Sequence, residues 1–206
     1  MPTNVTAPKR SGAARYGATV ELAGTTTADR YNRALEIAAE TGATLVPPYD
    51  DALIIAGQGT AGLEILADLP TPGTVVVPVG GGGLSSGMTG YMADRVSPEA
   101  MIFCEPSGAP SLKKSLEAGK VVTLPKVDNF VDGAAVARIG DHNFEAIKGF
   151  RPDQVLIVPE NAICVTMTDM LNVEGVVLEP AGALALTVVA ARNLPGLLEI
   201  GLRSRA

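Results

Sequence analysis

The amino-acid sequence predicts an α/β fold, an open twisted parallel sheet with helices on both faces. Short β-branched runs alternate along the chain with longer segments of helical periodicity, and this alternation is typical of parallel sheets covered on both sides. Of the 206 residues, 47% are apolar, 4% are aromatic and none is tryptophan, which suits an Ala/Val/Leu/Gly-rich enzyme domain better than a β-sandwich. The length allows one well-buried domain or two small ones.

The alternation can be followed element by element. Five β-branched runs predict strands: Thr19–Leu22, Ala43–Val46, Thr74–Val79, Met101–Cys104 and Gln154–Val158. Between and after them, six segments predict helices: Ala28–Glu40, Thr60–Leu69, Leu84–Arg95, Leu112–Ala118, Asn161–Leu171 and Ala181–Ala191. Ligands of such sheets bind at the carboxyl ends of the strands, so the residues that follow each strand are the first candidates for a site.

The most informative segment runs from Val75 to Gly87 and reads VVVPVGGGGLSSG, a β-branched run followed by four glycines and a helix-compatible stretch. Gly80, Gly81, Gly82 and Gly83 leave no Cβ between the main chain and a ligand. A strand, a glycine turn and a helix N-terminus together direct free N–H groups and the positive end of a helix dipole at one point. The segment therefore predicts a site for an anion, most often a phosphate. The alternative is a tight connection that holds no ligand.

The spacing of the glycines argues against a nucleotide. The dinucleotide fingerprint G-x-G-x-x-G, begun at Gly80 or Gly81, would need a glycine where Ser85 or Ser86 stands. The nucleotide P-loop would need Lys and then Ser or Thr after its last glycine, where this chain has Leu84. A small phosphorylated cofactor held mostly by backbone N–H groups fits better. The two serines are either donors to that phosphate or caps of the helix.

Charge and hydropathy exclude several classes of partner. Sixteen basic and 22 acidic residues give a net charge of −6, which argues against a nucleic-acid or anionic-membrane partner. No apolar run reaches the roughly 20 residues of a membrane span, and the N-terminus has no signal-peptide core. Cys104 and Cys164 stand apart in apolar runs, so both are expected to be buried, reduced thiols. Together these features predict a cytoplasmic protein.

Asp50, Asp51 and His142 are the remaining candidates for chemistry. The two aspartates follow Pro47-Pro48 and could serve as metal ligands or general bases, but a solvated turn is the expected role. The only histidine, in Gly-Asp-His-Asn-Phe, has polar neighbours that predict an exposed helix start. A single, poorly placed histidine supports no Ser-His-Asp triad, and no Cys/His cluster has zinc spacing.

Several further motifs, taken together, resemble one family. In order along the chain they are Val46-Pro-Pro-Tyr-Asp, Ala56-Gly-Gln-Gly-Thr, the glycine segment, Cys104-Glu-Pro-Ser-Gly-Ala, Phe130-Val-Asp-Gly-Ala-Ala-Val, Arg138-Ile-Gly-Asp and Leu178-Glu-Pro-Ala-Gly-Ala-Leu-Ala. Up to about residue 190 the chain resembles the fold-type II (tryptophan synthase β-like) enzymes that use pyridoxal 5'-phosphate (PLP). It is most similar to biosynthetic threonine dehydratase (threonine ammonia-lyase), which converts L-threonine to 2-oxobutanoate and ammonia in isoleucine biosynthesis. Serine dehydratases and serine racemases share nearly all of these motifs.

The resemblance implies roles at matching positions. Main-chain N–H groups of Gly80, Gly81, Gly82, Gly83 and Leu84 would hold the PLP phosphate. Gly133, after Asp132, would lie near the cofactor ring, and Glu179 would approach the substrate side.

Two further positions match a cation site that some relatives have, namely Glu105 and the carbonyl of Ala109. Ser111 stands where those relatives have an aspartate, which argues against a bound cation here. Glu105 and Glu179 each precede a proline, so an alternative role for both is to anchor a turn.

One residue that the family's chemistry needs is missing. A lysine forms the Schiff base with PLP and then takes the Cα proton of the substrate, and it belongs to a Ser-x-Lys-x-Arg-Gly motif. The six lysines of the chain lack that context: Lys9, Lys113, Lys114, Lys120, Lys126 and Lys148. The resemblance thus implies a partial PLP domain over residues 1–190, a divergent tail over 191–206 and no regulatory domain.

Three functional hypotheses follow from these observations. The first is a PLP-dependent lyase by ancestry, acting on a small-molecule amino acid, threonine or serine. The second is a remnant without activity, and the isolated chain is expected to be inactive because the lysine is absent. The third is a subunit that is completed by an N-terminal fragment or docks onto a full-length homologue as an oligomer.

Overall fold

The structure, a computed structural model, describes residues 1–25 and 27–192. These residues form two compact units, one from Met1 to Val46 and one from Pro47 onward. From residue 193 on, the predicted divergent tail lies outside the described residues.

The first unit contains two helices, α1 (Ala7–Arg15) and α2 (Thr27–Thr41). The second of them confirms the helix predicted at Ala28–Glu40, and Gly42 follows it with a left-handed φ of +71°, as expected for a glycine that ends a helix. The first helix was not predicted, because its polar sequence has no apolar face from which a helical period could be read.

Two strands predicted in this unit are wrong. Thr19–Leu22 and Ala43–Val46 are irregular rather than extended in a sheet. The backbone near the first of them meets the chain start through two hydrogen bonds, Thr3 N to Gly24 O and Ala23 N to Met1 O, both 2.8 Å, without forming a ladder. None of the described residues of this unit is buried, so a β-branched run finds no core face against which a strand would be stabilised.

The second unit is built on a parallel sheet of three strands, β1 (Val75–Pro78), β2 (Met101–Pro106) and β3 (Val155–Val158), in that order. Val77 lies opposite Phe103, which in turn lies opposite Val155. The sheet confirms three of the predicted strands and their parallel arrangement.

Within the described part of this unit, six helices accompany the sheet: α3 (Ala52–Asp68), α4 (Gly83–Met92), α5 (Ser111–Ala118), α6 (Asp141–Ile147), α7 (Glu160–Asp169) and α8 (Pro180–Arg192). Short 3₁₀ turns precede β2 and β3, and a π turn, Met170–Glu174, follows α7. Helix α3 begins earlier than predicted because the Asp51 carboxylate accepts hydrogen bonds from Leu53 N (2.8 Å) and Ile54 N (3.3 Å). Among the described residues, no helix is both long and apolar enough to cross a membrane.

The two faces of the sheet bury separate cores. One face buries Val77 and Phe103 together with residues of α3, α4, α5 and α6. The other buries Cys104 and Val158 together with residues of α7 and α8. Successive strand residues point to opposite faces, so this division confirms the predicted sheet with helices on both sides.

Helices α3 and α4 cross with their backbones in contact. A Cβ built on Gly87 would overlap the carbonyl oxygen of Ile55, and one on Gly59 would lie 3.1 Å from the carbonyl oxygen of Gly87. The missing side chains let the two helices approach closely, which fixes α4 and its N-terminus beside the sheet.

Phe103 tests this core. It is the largest of the fully buried side chains among the described residues, and its ring meets Phe150 edge to face with centroids 5.0 Å apart. Phe103→Ala is expected to lower the free energy of unfolding by about 3–5 kcal/mol because it leaves a cavity. Phe130→Ala, at a site that is 46% exposed, is the matched control with an expected loss below about 1 kcal/mol. Urea unfolding measures both, and equal losses would contradict this assignment of the core.

Candidate functional site

The glycine segment forms a turn at the carboxyl end of β1. After Pro78, Val79 N donates to Cys104 O at 2.8 Å, and α4 then begins at Gly83. Gly82 is the N-cap of α4 and has a φ of +97°, a left-handed conformation that favours glycine. Within the described ranges, the N–H groups from Gly80 to Leu84 donate to no acceptor. The turn therefore presents a row of free donors at the positive end of a helix dipole.

The inner side of this turn is packed too closely for side chains. A Cβ on Gly81 would overlap the ring of Tyr49, and one on Gly80 would lie 3.0 Å from the Cα of Ala134. A Cβ on Gly82 would lie 2.8 Å from the Cβ of Asn143. Three segments distant in sequence thus pack against the loop and exclude side chains from it, and Gly82 and Gly83 are themselves buried. An anion such as a phosphate fits this donor set.

The serines that follow the glycines have structural roles. The hydroxyl of Ser85 donates to Gly82 O at 3.0 Å and that of Ser86 donates to the carbonyl of Asn143 at 3.2 Å. Both side chains are buried, so their hydroxyls are committed to holding α4. Gly82 is the N-cap of α4 and no side chain caps it, so the expected capping role is wrong; the serine hydroxyls donate to carbonyl oxygens instead.

Asp50 and Asp51 both cap helices. Besides the Asp51 cap of α3, the Asp50 carboxylate accepts from Asp141 N (2.9 Å) and His142 N (3.0 Å) at the start of α6. The predicted solvated turn is incomplete as a description, because the Asp50 side chain is only 26% exposed and its bonds join segments 91 and 92 residues apart. The His142 side chain is 68% exposed in the first turn of α6, which confirms the exposed helix start.

The turn that contains Gly133 meets the glycine loop on one side and the start of α8 on the other. Its carbonyl oxygen lies 3.3 Å from the position of a Cβ on Gly80, and a Cβ on Gly133 would lie 2.9 Å from the Cβ of Ala181. The same Cβ would lie 3.4 Å from Oε1 of Glu179, whose side chain is exposed. The structure therefore brings together the glycine loop, Gly133 and Glu179, and their roles toward the cofactor and the substrate stay predictions.

The residues of the predicted cation site lie elsewhere, at the start of α5. Fully buried Glu105 accepts hydrogen bonds from Leu112 N (2.7 Å) and Lys113 N (3.0 Å), and the carbonyl of Ala109 accepts from Ser111 N at 2.9 Å. The described residues contain no group of three or more His, Cys, Asp or Glu placed to hold a metal. Burial raises the pKa of the Glu105 carboxyl to about 7, against the lowering effect of these N–H groups. Glu105 caps a helix here, and the expectation from Ser111 against a bound cation stays a prediction.

The two cysteines differ in environment. Cys104 in β2 is buried, and burial, followed by the neighbouring Glu105 charge, raises the pKa of its thiol to about 12. Cys164 in α7 is exposed, so its predicted burial is wrong. Its apolar run lies on a helix that buries Ile163 and turns Val165, 60% exposed, away from the core.

Sequence reasoning gave no role to Tyr49 or Asn143, although both support the glycine loop. Tyr49 lies within a motif of the resemblance, but nothing in its own neighbourhood indicates a partner 32 residues later in the chain. Asn143 is one of several polar residues on a short helix, and its buried location is not evident from the pattern around it.

Comparison with known proteins gives the family. A match to the family described as pyridoxal-phosphate dependent enzyme spans residues 1–201. This chain belongs to that family. PLP is thus the family's cofactor, and the free amides and close-packed inner side of the glycine loop fit its phosphate group.

Among curated relatives, the biosynthetic L-threonine dehydratase of Mycobacterium leprae is 52% identical over 149 residues, which are 71% of this chain and 35% of the relative. The chloroplastic biosynthetic threonine dehydratase of Arabidopsis thaliana is 40% identical over 188 residues, 90% of this chain and 31% of the relative. This PLP-family chain therefore spans about a third of the length of these curated relatives.

Solved structures agree with this assignment. The processed form of threonine deaminase isoform 2 from Solanum lycopersicum has 35% identity and a TM-score of 0.84, and covers 93% of this chain and 55% of that one. Maize serine racemase has 31% identity and a TM-score of 0.85, with 93% and 58% covered. The predicted resemblance to fold-type II PLP enzymes and to threonine dehydratase is confirmed.

The pH dependence of stability tests the buried Glu105. The unfolded chain releases this proton near pH 4.5 and the folded chain holds it to about pH 7, so the free energy of unfolding is expected to fall as pH rises between these values. The loss is roughly 3 kcal/mol and is complete above about pH 7. Glu105→Gln is expected to lack this fall, while Glu99→Gln, at an exposed position, keeps it. Urea unfolding at several pH values measures the slopes, and a wild-type slope in Glu105→Gln would refute the buried-charge account.

Proposed function

We propose that this chain supplies the cofactor-phosphate half of the PLP domain of a threonine ammonia-lyase. The observation that carries the proposal is the row of free amides from Gly80 to Leu84 at the N-terminus of α4, backed by Tyr49, Ala134 and Asn143. Identities of 40–52% to named threonine dehydratases support threonine as the substrate.

In this proposal, different residues around the loop contact the phosphate, the cofactor ring and the substrate. The amides of Gly80 to Leu84 hold the phosphate through backbone donors, so the phosphate can be bound without a cationic side chain. We assign Gly133, exposed beside the loop, to the surroundings of the cofactor ring; a Cβ there would lie 2.9 Å from Ala181, so its missing side chain lets the start of α8 approach. We assign the exposed carboxylate of Glu179 to the substrate side, since it lies against Gly133.

When bound, PLP supplies an electron sink that stabilises negative charge at the substrate Cα. The reaction converts L-threonine to 2-oxobutanoate and ammonia, with the β-hydroxyl leaving as water and a second water entering at hydrolysis. A lysine must move the Cα proton, and none of the six lysines has the Ser-x-Lys-x-Arg-Gly context. We infer that the lysine must come from outside these 206 residues and that the chain alone is inactive.

A second substrate class is serine, in a serine dehydratase or racemase relative. The observation that favours it is the similarity to maize serine racemase, whose TM-score of 0.85 matches that of the threonine deaminases. Pyruvate from L-serine, D-serine from L-serine, or 2-oxobutanoate from L-threonine are the products that separate these activities once a competent enzyme is assembled.

Phosphate binding is tested at Gly82. Its φ of +97° and the adjacent Asn143 leave no room for a Cβ, so Gly82→Ala is expected to weaken PLP binding by about tenfold or more. Gly149→Ala is the matched control, because a Cβ there meets nothing within 4 Å. Titration calorimetry measures the affinities, and circular dichroism confirms that both variants are folded. Equal affinity of Gly82→Ala and wild type would count against the loop as the phosphate site.

The inferred inactivity of the chain alone is tested by incubating it with PLP and L-threonine. The purified chain is expected to release no 2-oxobutanoate. After borohydride treatment, mass spectrometry is expected to find no lysine that carries the cofactor. Product formation by the chain alone, with the cofactor fixed to a single lysine, would overturn the inferred inactivity.

Addition of an N-terminal fragment carrying Ser-x-Lys-x-Arg-Gly distinguishes the two remaining hypotheses. If the chain is one piece of a split enzyme, the fragment is expected to restore product and to co-elute with the chain in size-exclusion chromatography. If the chain is a non-catalytic remnant, neither occurs. A self-associated chain that stays inactive would indicate a homo-oligomer without catalysis.

A further inference from the structure

The side chain of Asn143 is fully buried behind the glycine loop. Its Nδ2 donates to Gly81 O at 3.0 Å and to Tyr49 O at 3.2 Å. Because both facing atoms are carbonyl oxygens, the amide nitrogen, with its two N–H groups, must be the atom on that side. Oδ1 is also buried and receives no donor from the described residues. Burying an amide with an unpaired acceptor costs free energy. The role of Asn143 must therefore lie in the two hydrogen bonds that its Nδ2 donates.

The first of these bonds fixes a peptide plane. Gly81 O accepts from Asn143 Nδ2 and also from Gly140 N, at 3.1 Å. In a trans peptide the carbonyl of one residue and the N–H of the next lie in one rigid plane and point in opposite directions. Holding the carbonyl of Gly81 toward α6 therefore directs the N–H of Gly82 away from α6.

The second bond ties the loop to the segment that covers it. Tyr49, whose carbonyl receives the other N–H of Asn143, places its ring against Gly81. The next residue, Asp50, accepts from the first two amides of α6. Asn143 also accepts the Ser86 hydroxyl of α4 on its own carbonyl, so one residue of α6 contacts the glycine loop, its cover and its helix.

We propose that Asn143 is the positioning residue of the phosphate cradle, orienting the Gly81–Gly82 peptide so that the Gly82 N–H meets the anion. This inference rests on the proposed function, because it assumes that the glycine loop binds the PLP phosphate. According to this inference, a residue of α6, which lies outside the loop, controls the affinity of the loop for phosphate.

Asn143→Leu tests the inference, because leucine has the same branched arrangement of side-chain heavy atoms as asparagine, removes both donors and adds no charge. The probes are PLP and inorganic phosphate, with affinities measured by titration calorimetry on the full 206-residue chain. The variant is expected to bind both probes at least tenfold more weakly. In ¹⁵N-edited NMR spectra, phosphate is expected to shift the Gly82 amide of the wild type and to leave that of Asn143→Leu nearly unmoved.

Ile147→Val is the matched control. It lies fully buried on the same helix and is expected to reduce stability while keeping both affinities within twofold of wild type. If Asn143→Leu does not fold, Asn143→Ser, which is smaller and remains polar, carries the same comparison with the same expected loss of affinity.

The outcomes separate the two proposals. The positioning role is overturned if the wild type binds the probes and Asn143→Leu binds them with an affinity within twofold of wild type. It is also overturned if Ile147→Val loses as much affinity as Asn143→Leu. In both cases the proposed function stands. A wild type that binds neither probe overturns the proposed function, and the positioning role with it. Both proposals are supported if only the Asn143 variants bind the probes more weakly and phosphate leaves the Gly82 amide of Asn143→Leu unmoved.

Discussion

The close contact between four residues without side chains and the three segments behind them is the constraint on which the site depends. A Cβ on Gly81 would overlap the ring of Tyr49, and those on Gly80 and Gly82 would lie 3.0 Å from Ala134 and 2.8 Å from Asn143. The contact therefore excludes side chains from this face of the turn. Glycine loses more conformational freedom on folding than any other residue, so this loop is held by its surroundings rather than by its own preference. The same surroundings join β1, α4, α6 and the segment before α3 into one structure.

A net charge of −6 is no obstacle to an anion site built in this way. What acts on a phosphate is the local field, here from unpaired N–H groups at the N-terminus of α4, and the distant carboxylates are screened. Two nearby acids are engaged elsewhere, since Asp50 and Asp51 cap α6 and α3. The N-terminus of α4 has no side-chain cap, which leaves its amides for a ligand.

The sequence predicted the part of the fold that depends on local pattern. In the second unit the β-branched runs became a parallel sheet, and the four glycines formed the turn that was expected after β1. The same pattern failed at Thr19–Leu22 and Ala43–Val46, because a strand also needs a partner and a core face that periodicity does not report. An apolar neighbourhood likewise misplaced Cys164, since a helix turns part of any apolar run outward.

The supports of the site could not be predicted, because they join residues far apart in the chain. Asn143 and Gly81 are 62 residues apart, and Asp50 and His142 are 92 apart. A single asparagine or aspartate gives no sign of such a partner, whereas a run of four glycines after a strand indicates a site by itself. The structure adds to the sequence a set of contacts that orient the loop.

An amide-resolved NMR titration of the chain with PLP, set beside one with pyridoxal, which has no phosphate, tests most directly whether the glycine loop holds the phosphate. PLP is expected to produce its largest amide shifts from Gly80 to Leu84, and pyridoxal is expected to leave these amides almost unmoved. Shifts that centre elsewhere in the chain, or that pyridoxal reproduces at the same residues, would contradict this placement of the phosphate.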